Sequence, residues 1–588
     1  MEENLYSANS GALETPYYER GGMLYLSRAG NRQDAPIASF QARIVSEIVE
    51  DEGRSFVIRG KAVSGRKFSF TIPVKDYFNE RILAATVMRY LGTSAVVYAG
   101  MSRHLPVAFQ LLTKNDPLVI YRFRRTGWQD ALFLIPGLKQ ETIEILLPEK
   151  LPYRFDTHAD FDLGMKALEH LMNAQMQEML SVALCTIFQA PIAKRMGWRN
   201  ERYALFITGR TGVFKTSIAQ LLMSLYGKRF QDENVLIRWG IGSTINSVIT
   251  LGAYASDLPF LIDNYKPNTG GGGRDLVNVV HALLEGGEKD RLRKDASLRE
   301  SRSIHTWPII TGEDTDTSDP ATLARMLVVG FVLRDEHATT DLTEAQHLAD
   351  HLNAVGKAWL DWVISPAASE CFMKAQPRFK DVREHWMQEL RGYQSRTVNP
   401  ARVATNLASN QLTWELLCQH PCMGAFFEKY KNTHQAGLQM VAVTMARLTA
   451  EALEATRFLD ALDALLSNNR CVLLPAFKQP GNADRDRHIG WQNEDGSICL
   501  LPIPARSAVE RMLGFDALNK ISPQGLYAQL AGLGLIASHD PDRNTKVFRI
   551  GEKGARLLHL KADALLQVDP QGVTELPGFE TTNNAEKK

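Results

Sequence analysis

The stretch Leu205–Leu225, "LFITGRTGVFKTSIAQLLMSL", decides the fold because it has the order of a phosphate-binding loop. The P-loop pattern is G-x-x-x-x-G-K-[ST]. Gly209 stands six residues before Lys215, and Thr216 follows the lysine, but Phe214 occupies the second glycine position. Such a loop needs a buried strand, a turn whose backbone N–H groups face inward, and a helix whose N-terminus adds positive potential. "YALFITG" supplies the apolar strand. Beyond Lys215, the residues Ile218, Leu221, Leu222 and Leu225 recur at i, i+3, i+4 and i+7, and Gly227 closes the helix. The nucleotide-binding loop is therefore Gly209, Arg210, Thr211, Gly212, Val213, Phe214, Lys215, Thr216 and Ser217. Lys215 is expected to reach the β- and γ-phosphates of ATP, and the Thr216 hydroxyl to hold Mg2+. Gly212 keeps one permissive backbone position in the turn.

A P-loop ATPase also needs an acid at the end of a neighbouring strand. "DLPFLIDNYKP" provides an apolar strand ending in Asp263, the expected second holder of the Mg2+ shell. The next position, commonly a carboxylate that orients the attacking water, is Asn264. An amide holds water but cannot take its proton, which favours slow hydrolysis or help from Glu285 or Glu313. A third strand, "HTWPIITGED", ends in Thr311 and Glu313, where a residue senses the γ-phosphate. Arg325, in "ATLARMLVV" just before another apolar strand, suits a finger that reaches the nucleotide of a neighbouring subunit.

Around this core the chain has 588 residues, which at roughly 150 per domain predicts about four. Its 45% hydrophobic and 23% charged residues are ordinary globular values. A net charge of +1 means that any nucleic-acid contact must come from local patches. Six cysteines are too few for a disulfide framework, and Cys418, His420 and Cys422 lack a second ligand pair with zinc spacing. No signal pattern opens the chain and no run of about 18 apolar residues occurs, so a cytoplasmic protein without a membrane role is expected. The predicted architecture is multidomain α/β. A polar tail (1–20) precedes an α+β N-terminal domain (21–155), in which "SFVIRGKAV" and "RKFSFTIPV" form a hairpin and "FNERILAATVMRYLG" a helix. The P-loop core (156–335) follows, then a helical stretch (336–469) interrupted near Pro377 and Pro400. Residues 470–565 end in a helix, "QGLYAQLAGLG", and strands "LIAS" and "TKVFRI" around "HDPDRN", the sequence pattern of a winged helix. A polar tail (566–588) closes the chain.

The order of these motifs resembles the AAA+ ATPases of the MCM helicase branch, nearest to the MCM-like helicases carried by phages, plasmids and chromosomal islands. MCM proteins replace the glycine before the P-loop lysine with a small residue, and "GRTGVFKTSIAQLL" shares that departure with a bulkier phenylalanine. "RWGIGSTINSVITLGAYASDLPFLIDN" is similar to the group's W-x-x-T-x-N segment and acid strand, with Asn264 for the second acid. "DRLRKDASLRESRSIHTWPIITGED…ATLARMLVV" repeats its R-x-R hairpin, TGE strand end and downstream arginine. "RTGWQDALFLIPG" and "HIGWQNEDGSICLLP" also look like the group. The resemblance spans roughly Tyr121 to Leu558 and implies an AAA+ αβα core with a helical lid. It also implies a ring, usually hexameric, with ATP between subunits and DNA, single-stranded or forked, in its channel. Arg325 then matches the arginine finger and Arg402, in "NPARVATNLASNQLTWELL", the second sensor.

Between the acid strand and the sensor strand the MCM fold places a hairpin in the channel. Here that segment carries Lys289, Arg291, Arg293, Lys294, Arg299 and Arg302 against three acids. Such a hairpin grips phosphates without reading bases. Arg543, Lys546 and Arg549 of the wing form a second candidate contact. The rival expectation is an ATP-binding switch or scaffold with little turnover, favoured by Phe214 and Asn264. A small-molecule P-loop kinase needs neither the trans arginine nor the C-terminal wing.

Overall fold

The computed structural model describes residues 15–28, 33–51, 53–113, 116–138, 141–240, 243–266, 273–286, 303–315, 319–393, 399–513, 522–541 and 543–565. The chain divides into two compact units, residues 1–125 with 134–147, and residues 126–133 with 148–588.

In the first unit β1 (Tyr17–Arg20), β2 (Met23–Leu26) and β3 (Ala35–Ala38) form an antiparallel meander. The larger sheet contains β4 (Phe40–Glu50), β5 (Gly53–Ala62), β6 (Lys67–Pro73) and β7 (Leu118–Phe123). β4 and β5 alternate buried and open residues over most of their length, and β6 does so throughout, as expected of strands with one face on a core. Phe40, Ile58, Phe68, Phe70 and Ile72 meet Leu83, Val87 and Leu91 of helix Glu80–Leu91 in that core. Asn79 caps this helix, accepting from the backbone N–H groups of Arg81 and Ile82, and Gly92 ends it with φ 54°. The ribbon β8 (Gly127–Gln129) with β9 (Leu132–Leu134), which lies almost wholly in the second unit, precedes β10 (Ile143–Ile145) in sequence, and the larger sheet of the first unit runs β10-β7-β4-β5-β6. The sequence hairpin is thus β5–β6.

The second unit is built on a parallel sheet of β11 (Ala204–Thr208), β12 (Pro259–Tyr265), β13 (Trp307–Gly312) and β14 (Met326–Gly330). Its order is β12-β13-β11-β14, and all four strands are buried except at Asn264. Near-continuous apolar runs are what a parallel sheet covered on both faces requires. A multidomain α/β chain with both mixed and parallel sheets is therefore what the sequence folds into.

The helical stretch is continuous through Pro377, where an interruption was expected, while a new helix starts at Pro400, where the second was expected. Helix Pro366–Gly392 runs through Pro377, because the carbonyl that proline leaves without a partner belongs to Met373, which is 66% exposed and open to water. Pro400 instead occupies the first turn of helix Pro400–Cys418, where its missing N–H costs nothing. That helix is tied to the core by a buried polar network. His434 Nε2 faces Asn410 Oδ1 at 2.8 Å, and Asn410 Nδ2 donates to the Tyr203 hydroxyl at 2.8 Å. Burial pushes the His434 imidazole down to about 3, so the ring is neutral and stacks on Trp414, centroids 4.2 Å apart. Both ring nitrogens of His420 are engaged, with Ala358 O and with the N–H groups of Cys422 and Met423.

The C-terminal sheet joins β15 (Val472–Pro475), β16 (His488–Gln492), β17 (Ile498–Leu500), β18 (Lys546–Ile550) and β19 (Lys553–Leu560) in the order β15-β16-β17-β19-β18. Helix Glu454–Ser467 shares its core with this sheet and with helices Pro502–Leu513 and Pro523–Gly532. The hairpin after the last helix is β18–β19, and "LIAS" is not a strand. Ile536 makes a single bridge to Leu560 before the turn closed by Asp540 and Arg543 steers the chain away.

Candidate active site

In a parallel sheet the C-terminal strand ends leave their backbone groups open for loops, and these ends hold the expected nucleotide residues. Gly209 leaves β11 with φ 150°, and a Cβ there would lie 2.4 Å from the Phe331 carbonyl oxygen, so only glycine fits. Gly212 takes φ 92°. Phe214 also lies in the left-handed region, φ 61° and ψ 26°, immediately before helix Lys215–Ser224, and the residue is 40% exposed. The phenylalanine therefore keeps the backbone shape that a glycine would adopt.

Lys215 Nζ donates to the carbonyls of Gly209 (2.6 Å) and Arg210 (2.8 Å), which holds the ammonium across the loop. Burial lowers its pKa, opposed by the Glu313 and Asp263 carboxylates. The Thr216 hydroxyl donates to Asp263 Oδ1 at 2.8 Å. Asp263 is buried at the end of β12, and its backbone exchanges hydrogen bonds with the segment Ile237–Trp239. These are the two groups expected to share a magnesium shell, and they already touch.

β13 lies between β12 and β11, and this adjacency gives Thr311 a use that local sequence did not show. Its hydroxyl donates to Asp263 Oδ1 at 2.6 Å and accepts from the Asn264 N–H at 2.9 Å. Thr311 thus orients the acid and the residue beside it. Asn264 stands in a register irregularity with φ 62°, its side chain half-buried. Glu313 accepts from the Thr211 hydroxyl through its carboxylate and from the Thr208 hydroxyl (2.7 Å) through its carbonyl, which joins the end of β13 to the loop.

Arg325 and Arg402 are not in this cluster. Arg325 precedes β14, at the opposite end of the sheet, where it donates to Ala321 O (3.0 Å) and pairs with Glu285 (3.3 Å). Arg402 donates to the Arg202 carbonyl at 2.8 Å and lies 3.7 Å from Glu201. Burial lowers the Arg402 pKa, and the nearby Arg325 charge adds to that. The five residues of β11 span about 16 Å, so neither arginine is placed to meet the loop of its own subunit.

Arg202 was not singled out by any motif. Its guanidinium is buried and donates to the carbonyls of Arg199 (2.6 Å), Leu283 (3.0 Å), Leu284 (2.9 Å), Ile304 (2.9 Å) and Thr306 (2.6 Å). Burial brings its pKa down to about 10. The Ile304 N–H also bonds the Gly286 carbonyl at 3.1 Å. Arg202 therefore binds together the chain on both sides of residues 287–302. The basic residues expected to contact DNA, Lys289, Arg291, Arg293, Lys294, Arg299 and Arg302, lie outside the described residues.

No family model matches the chain, and no curated protein matches it. A solved structure described as an active helicase, SCCmec type IV Cch, superposes with a TM-score of 0.60 at 13% identity, over 96% of this chain and 100% of that one. The apo C-terminal region of NrS-1 gives a TM-score of 0.27 at 12% identity, over 68% of this chain and 92% of that one. The Cch likeness establishes a shared fold over nearly the whole length. Among the described residues, no helix is long and apolar enough to cross a membrane.

Proposed function

We propose that this chain is an ATP-driven DNA helicase, or helicase-like replication initiator, of a mobile element, of the AAA+ type and akin to the MCM-like branch. The observation that carries the reading is the Lys215–Thr216–Asp263–Thr311 cluster at one end of a parallel sheet, with Arg325 at the other. The fold shared with Cch, described as an active helicase, supports it.

The residues present fit Mg-ATP. Helix Lys215–Ser224 directs its N-terminus at the loop, Lys215 supplies a cation, and Thr216 with Asp263 supplies hard oxygen ligands. Bound Mg2+ would neutralise developing phosphate charge. Lys215 would exchange its loop carbonyls for phosphate oxygens. Thr311 would hold Asp263 in orientation, and Asn264 would position water without accepting its proton. Arg325 would complete the site of the next subunit, an arrangement that calls for a ring, usually a hexamer, with Arg402 beside it in the same contact. Residues 287–302 would grip single-stranded or forked DNA, and the C-terminal helix and hairpin would serve as a winged helix.

A second reading, an ATP-binding switch with little turnover, is favoured by Asn264. Steady-state ATP hydrolysis by the purified chain, with and without single-stranded DNA, separates the two. The helicase reading expects DNA-stimulated turnover that Lys215→Ala abolishes. Nucleotide binding with negligible turnover under both conditions would select the switch.

A further inference from the structure

Helix Pro400–Cys418 carries three polar side chains at four-residue spacing, Arg402, Asn406 and Asn410, which therefore lie on one face. Arg402 donates to the Arg202 carbonyl, and Asn410 to the Tyr203 hydroxyl and to the Val182 carbonyl (3.2 Å). Asn406, between them, is fully buried. Its Nδ2 donates to the carbonyls of Ala324 (3.0 Å) and Met326 (3.4 Å), the residues on either side of Arg325. Both partners can only accept, so the amide nitrogen must face them. The Asn406 Oδ1 is then buried with no partner among the described residues. An unpaired buried acceptor is a cost that an apolar residue of the same shape would avoid. An amide at this position therefore points to a task for its two N–H groups.

That task lies at the root of Arg325. The Arg325 N–H donates to the Thr322 carbonyl (3.0 Å), and the Arg325 carbonyl accepts from the Ala204 N–H (2.9 Å). With Asn406 on the two flanking carbonyls, this backbone is tied to the preceding turn, to β11 and to helix Pro400–Cys418 at once. The side chain is held less firmly. The Glu285 carboxylate that pairs with it is 56% exposed, and such a pair opens at little cost. Arg325 is thus a releasable side chain on a fixed root. We propose, resting on the reading of Arg325 as a finger for the next subunit, that Asn406 is a positioning residue for that finger. Its amide clamps the carbonyls on both sides of Arg325 and so sets where the guanidinium enters the neighbouring site. A misplacement of about 1 Å costs about a hundredfold in rate. Loss of the clamp is therefore felt in turnover and not in nucleotide binding, which belongs to the opposite end of the sheet.

The test is steady-state ATP turnover of Asn406→Leu and Asn406→Thr proteins, alone and in equimolar mixtures with Lys215→Ala or Arg325→Ala protein. Leucine keeps the shape of the side chain and removes both donors, whereas threonine keeps one. Alone, Asn406→Leu is expected to lose about tenfold to a hundredfold in kcat with KM within about threefold of wild type, and Asn406→Thr to fall between. Lys215→Ala subunits bring an intact Arg325, so they should raise Asn406→Leu to the level they reach with Arg325→Ala. Arg325→Ala subunits bring no finger, and their mixture with Asn406→Leu should stay as slow as its components. Where the leucine variant no longer binds ATP, the threonine variant carries the same comparison. A kcat within about twofold of wild type in both Asn406 variants overturns the proposal. So does a loss that Lys215→Ala subunits leave unrelieved although they relieve Arg325→Ala, which would make Asn406 a support of the fold alone. Failure of Lys215→Ala to relieve Arg325→Ala, with both still assembling, is a different pattern: it removes the finger reading itself, and the proposal with it.

Discussion

Phe214 is where the loop departs most from its pattern, and the backbone shows what the departure costs. A non-glycine residue in the left-handed region gives up roughly 1–2 kcal/mol relative to a relaxed backbone. Phe214 accepts this strain with φ 61°, so the turn that presents N–H groups to phosphate is kept without the usual residue. Phe214→Gly should relieve the strain and lose some to backbone entropy, for a net gain of about 0.5–1 kcal/mol in unfolding free energy. Chemical denaturation of the two proteins measures this. A net loss above about 1 kcal/mol would mean that the ring itself makes contacts that hold the loop. Asn264 has the same backbone class, and asparagine tolerates it better than phenylalanine does.

Between elements, proximity in sequence decided what was legible. The P-loop strand, loop and helix were readable because Gly209, Gly212, Lys215 and Thr216 lie within eight residues and their periodicity is local. The Thr311–Asp263 bond was not, since it depends on β13 lying beside β12, a pairing between segments 48 residues apart. Pro377 misled for a similar reason: whether a proline breaks a helix depends on whether the freed carbonyl reaches water, and sequence does not show exposure. Arg202 was illegible altogether, because its partners are backbone carbonyls, which no residue pattern records. Those carbonyls predict a large effect. Arg202→Leu leaves four buried acceptors and one half-buried one without their donor and should cost about 3 kcal/mol or more. A denaturation midpoint shifted by less than about 1 kcal/mol would show that water or a neighbouring side chain replaces the guanidinium.

Across the whole second unit the sheet has two chemically different ends. One gathers an ammonium, four threonine hydroxyls and two carboxylates around a helix N-terminus. The other gathers Arg202, Arg325 and Arg402, with Glu201 and Glu285 as counter-ions. The sheet separates them by more than an arginine side chain can cross, so on the proposed reading Arg325 would complete the hydrolytic site of a second copy of the chain. A site shared in this way predicts complementation between defective subunits. The direct measurement is ATP turnover of Lys215→Ala protein, of Arg325→Ala protein, and of an equimolar mixture. Each variant alone should be nearly inactive. The mixture should recover turnover, since an intact loop from one subunit then meets an intact Arg325 from the other. A mixture no more active than its components, with both variants still assembling, would contradict a site shared between subunits.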